Sequence, residues 1–106
     1  MSKRPLSTPS VKAIELLGQA IRLGRRQRRW SESELAARLG ASRATVQRIE
    51  RGDPSVGIGL FFESATLVGM DLLGTPETLK SEAARIQGML TLLPKRATPL
   101  KLSDDF

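Results

Sequence analysis

Apolar residues recur at helical spacing along most of the chain in five stretches, several of them bounded by capping or stopping residues. From Val11 to about Arg28, Ile14, Leu17 and Ile21 share one face that Gly24 continues, which predicts a long first helix. In "SESE", Ser31 is placed to cap a second helix, and Glu34 stands where it can reach back to that cap. Leu35, Ala36 and Leu39 form the apolar face of this helix, and Gly40 stops it. Ser42 caps a third helix that ends before Gly52, with Pro54 beyond. A fourth segment after Ser55 aligns Phe61, Ala65 and Val68, although Gly57 and Gly59 blur its start. Thr75-Pro76-Glu77 opens a fifth helix with Leu79, Ala83, Ile86 and Leu90 on one face, ended near Leu93 by Pro94.

The flanks differ from this pattern. Residues 1–10, with two prolines and three serines, predict a flexible basic arm carrying Lys3 and Arg4. Residues 94–106 form a tail with an acidic, aromatic end and one short strand expected around Leu100–Leu102. The expected organisation is therefore the arm at 1–10, a helical domain at 11–73, a C-terminal helix at 74–93 and the tail at 94–106. The fold class is all-α. Helices two and three, joined by a turn of about three or four residues, make a helix-turn-helix unit.

Charge changes the picture from fold to partner. Residues 1–51 hold twelve Lys and Arg against four acids, and residues 52–106 hold five against seven. That asymmetry puts a positive field on one half of the molecule, with nucleic acid the first candidate partner and an anionic membrane surface the second. On the third helix, Val46 and Ile49 face inward, leaving Arg43, Ala44, Gln47, Arg48 and Arg51 on the opposite face. A helix fits the major groove, where Arg pairs with O6 and N7 of guanine and Gln with N6 and N7 of adenine. The small Ala44 allows close approach and contact with a thymine methyl. Cations closing the first helix also complement its macrodipole, so part of that cluster has a structural explanation.

Other chemistry is poorly supplied. The chain has no His, Cys or Tyr, which removes the usual general base, the thiol nucleophile and the commonest metal ligands. No cofactor or metal is expected, and no enzymatic activity. "GIG" lacks both the strand before and the lysine after that a phosphate-binding loop requires. The first ten residues lack the apolar core of a secretory signal, and no stretch approaches the roughly 20 apolar residues of a membrane span. The expected location is cytoplasmic, on the bacterial nucleoid.

The stretch "LGQAIRLGRRQRRWSESELAARLGASRATVQRIERG" resembles the Xre/Cro-type helix-turn-helix family of bacterial and phage repressors. The resemblance implies a compact five-helix, lambda-repressor-like domain whose second motif helix enters the major groove. It implies base contacts from Arg43, Ala44 and Arg48, with Gln47 beside them, and phosphate contacts from Ser42, Thr45, Arg51, Arg25 and Arg26. It also implies an ion pair between Arg25 and Glu50 that turns Arg25 toward the phosphates; the alternative is a plain surface salt bridge. Three departures stand out. Glu32 replaces a phosphate-binding glutamine and is left out of the contacts. Arg29 replaces a turn glycine, implying strain before Trp30. Gly24 replaces a core leucine, leaving space for Trp30 or a phenylalanine.

Members of that family bind near-palindromic operators as homodimers, so a two-fold interface is expected. Ile86, Met89, Leu90 and Leu93 are the candidates, because the apolar side chains here exceed what one face can bury. Chain size, the "RGDPSVGIG" entry to helix four and the "DDF" end resemble HipB-like antitoxins, which implies a HipA-like kinase toxin as a further partner. The alternatives are an autonomous repressor with no toxin, and a protein-interaction adaptor using the same fold.

Overall fold

The structure, a computed structural model, describes residues 5–95. It holds five helices and, among the described residues, no strand: α1 (Thr8–Gln27), α2 (Glu32–Leu39), α3 (Arg43–Glu50), α4 (Ile58–Leu67) and α5 (Pro76–Leu92). The chain divides between Leu72 and Leu73, with α1–α4 on one side and α5 on the other.

Local chemistry explains the helix starts. Ser7 accepts from the Ser10 amide and Pro9 stands in the first turn, so α1 begins at Thr8, three residues before the expected Val11. The expected arm is correspondingly shorter, and its Lys3 and Arg4 lie outside the described residues. Ser31 and Glu34 form a reciprocal capping box at α2. Ser42 caps α3 and Thr75 caps α5. A side-chain cap of this kind is worth about 1 kcal/mol. Gly57 is the cap of α4, and it supplies no side-chain bond.

All four helices before Leu72 end in the same way. The amides of Trp30, Ala41, Asp53 and Met70 donate to the carbonyls of Arg25, Ala36, Arg48 and Ala65, five residues back in each case. The residue preceding each donor is left-handed at Arg29, Gly40, Gly52 and Gly69. This closure wants glycine, because a Cβ in that conformation costs about 1–2 kcal/mol. Arg29, at φ 60°, is the one side chain held there, as the missing glycine implied.

The core lies among α1–α4. Ile21, Leu35, Val46, Ile49 and Ala65 are fully buried, with Ala36, Val56, Phe61 and Val68 nearly so. Helix α3 packs on α1 and α2, and α4 packs on the same two. The space at Gly24 is filled by Val68, whose Cγ2 lies 2.8 Å from where a Cβ would be, not by Trp30 or a phenylalanine. Trp30 instead lies half-buried beneath the guanidinium groups of Arg28 and Arg38, 5.4 and 4.1 Å from its ring centre.

Helix α5 has no buried residue. It ends at Leu92, and Leu93 is already extended at ψ 150° ahead of Pro94. The strand expected at Leu100–Leu102 and the tail from residue 96 onward lie outside the described residues. No helix among the described residues is long and apolar enough to cross a membrane.

Candidate nucleic-acid interface

Two backbone contacts and one ion pair hold α3 in place. A Cβ on Gly18 of α1 would stand 2.5 Å from the Ile49 carbonyl oxygen, 2.7 Å from that of Glu50 and 2.9 Å from the Gly52 amide. In turn, a Cβ on Gly52 would meet the backbone of Ile14 and Glu15 at 2.7–2.9 Å. The first helix therefore touches the end of α3 backbone to backbone. Gly18 has one weak signal in the sequence, a glycine on the buried face of a helix, where it costs about 1 kcal/mol relative to Ala.

Beside this contact Arg25 meets Glu50 in a two-pronged pair. Its Nε donates to Oε2 at 2.6 Å and its Nη2 to Oε1 at 3.0 Å. Both side chains are buried, so the pair is not the surface salt bridge of the alternative reading. The glutamate raises the pKa of Arg25 further through its hydrogen bonds, against the opposing effect of burial. The remaining nitrogen, Nη1, donates to the Trp30 carbonyl at 2.9 Å. Arg25 is therefore committed on every nitrogen and only 6% exposed. With these three bonds it clamps α1, α3 and the turn before α2 together. Arg22, one turn earlier and not singled out from the sequence, is half exposed, with Nε 3.7 Å from Glu50 Oε1.

With Val46, Ile49 and Glu50 fixed inward, the rest of α3 is set by rotation. Arg43, Ala44 and Arg51 are exposed, and Gln47 and Arg48 are half-buried. None of the five is packed away beneath another segment. Ser42 and Thr45 are tied together at the helix start, their hydroxyl oxygens 2.9 Å apart and the Thr45 amide donating to Ser42 Oγ at 3.1 Å. Arg26 is exposed on α1.

Acidic groups from both flanks hold the polar face of α3. Glu32, the first residue of α2, accepts on Oε1 from Arg43 Nε and from Gln47 Nε2, each at 3.0 Å. Those bonds, Gln47 first and Arg43 second, keep its carboxyl below the ordinary glutamate range. At the other end Arg48 donates from Nε to Asp53 Oδ2 at 3.0 Å and from Nη2 to Ser55 Oγ at 2.7 Å. Asp53 Oδ1 accepts from the Ser55 amide and hydroxyl at 2.9 and 2.7 Å. These two bonds, then Arg48, bring the Asp53 pKa down to about 2. The arginines are legible in the sequence but the acids that aim them are not, since neither "SESE" nor "GDPS" signals a contact across a turn.

Between α1 and α3 a polar depression of about 190 Å³ is lined by Arg22, Glu32, Gln47, Glu50 and Arg51. Its two cations are Arg22 of α1 and Arg51 at the end of α3. The exposed face of α3 can offer paired N–H donors to base edges and free guanidinium groups to phosphates.

No curated protein matches the chain. Comparison with known protein families matches residues 16–83, well over half of the 106, to the helix-turn-helix domain. With the capped helix pair, the tight turn and an exposed second helix all in place, the chain belongs to the helix-turn-helix domain family.

Proposed function

We propose that the protein is a sequence-specific repressor that reads duplex DNA with α3 and binds its operator as a homodimer. The observation that carries this reading is the division of α3 into two faces. Val46, Ile49 and Glu50 are locked inward, while the exposed Arg43 and the half-buried Gln47 have side-chain hydrogen-bonding groups to offer and the exposed methyl of Ala44 lets a base edge approach closely. Base readout then falls to Arg43, Ala44, Gln47 and Arg48. Phosphate contact falls to Ser42, Thr45, Arg26 and Arg51, with Arg22 taking the place of Arg25.

The test is binding of fluorescent duplexes, carrying sites selected from a random pool, over a range of salt. Arg43→Ala costs about 1–3 kcal/mol and relaxes preference at one operator position. Arg51→Ala weakens all duplexes alike and lowers the salt slope by about one. Identical behaviour of the two variants refutes the assignment of faces. Indifference of the native protein to sequence refutes the repressor reading and favours a protein-interaction adaptor.

What supports a dimer is the apolar surface of α5, where Ile86, Met89 and Leu90 are 48–61% exposed, and Leu93 just beyond it is 57% exposed. Two subunits related by a two-fold axis would set their α3 helices about one DNA turn (~34 Å) apart on a near-palindromic site. Sedimentation as a monomer at micromolar concentration refutes this part. Within the same reading, the HipB-like resemblance makes a HipA-like kinase toxin the expected further partner, and recovery of a kinase-fold protein from the native host tests it. Repeated failure to recover one leaves an autonomous repressor.

A further inference from the structure

We propose that Glu32 is a specificity-determining positioning residue, which fixes the edges that Gln47 and Arg43 present to the bases. This rests on the DNA-reading function proposed above and deepens it. Glu32 stands on α2, one side-chain length from α3, and its Oε1 takes one hydrogen bond from each of the two residues.

The consequence for Gln47 follows from donor and acceptor chemistry. A side-chain amide has an NH2 end and a carbonyl end, and it interchanges them by rotating half a turn. An ionised carboxylate only accepts, so the end of Gln47 that meets Glu32 must be the NH2. Glu32 stays ionised, since its two bonds favour the charged form. The Gln47 carbonyl is thereby held as the end that faces away from Glu32, and it has no protein partner among the described residues. A fixed acceptor suits a base with an exocyclic amine in the major groove, which means adenine at N6 or cytosine at N4. Guanine and thymine present acceptors at the corresponding edge, and an amide locked this way repels them.

The consequence for Arg43 is one of geometry. A guanidinium offers paired donors either along its Nε–Nη side or across its two terminal nitrogens. Glu32 occupies Nε, so only the terminal edge remains for a guanine O6/N7 pair. Binding a carboxylate beside the reading face also lowers the local positive charge. Glu32 therefore trades uniform attraction to phosphate for a narrowed choice of base.

The experiment is selection of preferred sites from a pool of randomised duplexes by the full chain and by Glu32→Gln, Glu32→Ala and Gln47→Ala. Gln47→Ala identifies the operator position that Gln47 reads, as the one whose preference it flattens. The native protein is expected to favour adenine or cytosine there by roughly ten- to a hundredfold over guanine and thymine. Both Glu32 variants free the amide to rotate, so that preference drops to within a few-fold while preferences elsewhere in the site, Arg43's apart, persist. Both also bind every duplex more tightly and steepen the salt dependence by up to about one unit of slope. A merely structural Glu32 would change stability and leave base choice untouched. The inference is overturned if both Glu32 variants keep the native preference at that position, or if the native protein prefers guanine or thymine there. Selection of no consensus by the native protein overturns the DNA-reading function itself, and the inference with it.

Discussion

The contact between Gly18 and the end of α3 makes Gly18→Ala the most informative stability test in the molecule. On helix propensity alone the substitution is favourable by about 1 kcal/mol. Here the new methyl would meet three backbone atoms at 2.5, 2.7 and 2.9 Å, where ordinary contact begins at 3.4 Å. Backbone atoms cannot swing aside as a side-chain tip can, so α3 must retreat from α1 by up to about 0.9 Å, in a core packed without slack. The same retreat stretches the Arg25–Glu50 pair, which joins the same two helices at 2.6 and 3.0 Å. Overpacking of this kind costs about 1–3 kcal/mol, and a weakened charged hydrogen bond adds about 1.5 kcal/mol or more. The net expectation is a loss of about 2–4 kcal/mol after the propensity gain. With a urea slope near 1 kcal/mol/M for so small a domain, the unfolding midpoint followed by circular dichroism falls by about 2 M or more. Gly59→Ala in α4 is the control, since its methyl meets nothing within 4 Å. It should gain about 0.5–1 kcal/mol from the same chemistry. A Gly18→Ala protein as stable as the native one would refute the close crossing of α1 and α3.

Four further changes probe other parts of the same unit. Glu50→Gln leaves the Arg25 guanidinium buried without a counter-charge and should cost about 3–5 kcal/mol. The double change Arg25→Met with Glu50→Leu should cost less than Glu50→Gln does, and simple additivity in a double-mutant cycle would contradict a coupled pair. Arg29→Gly relieves the only side chain held left-handed among the described residues, at φ 60°. After the entropy cost of glycine it should raise stability by about 0.5–1 kcal/mol, and an unchanged melting temperature would show the turn to be unstrained. Asp53 has its pKa lowered to about 2 when folded. The unfolded chain, with an ordinary aspartate near 3.9, binds more protons between these values, so the stabilisation is present above about pH 4 and lost as pH falls toward 2. Asp53→Asn should flatten the dependence of melting temperature on pH across that window; superimposed curves would mean that Ser55 and Arg48 do not hold the carboxylate.

Features settled within one or two turns of chain are legible in the order of residues alone. Ser31, Glu34 and Ser42 cap the helices they were expected to cap, and Gly40 and Gly52 end them, because capping and left-handed closure involve neighbours a few residues apart. The inward face of α3 was legible for a related reason: Val46 and Ile49 are three residues apart, and only one rotation of the helix buries both. The start of α1 was missed because Ser7 and Pro9 read as arm residues until a helix follows them closely.

Which distant partner a side chain meets depends instead on how the helices pack. Arg25 and Glu50 are 25 residues apart, and nothing in their spacing says that their contact would be buried and use up every nitrogen of the arginine. Val68 reaches Gly24, and Glu32 reaches Gln47, only once four helices have chosen their crossings. The difference is one of range. Hydrogen bonds within a helix are fixed by the chain's own geometry, whereas contacts between helices depend on how all the apolar faces can be buried together.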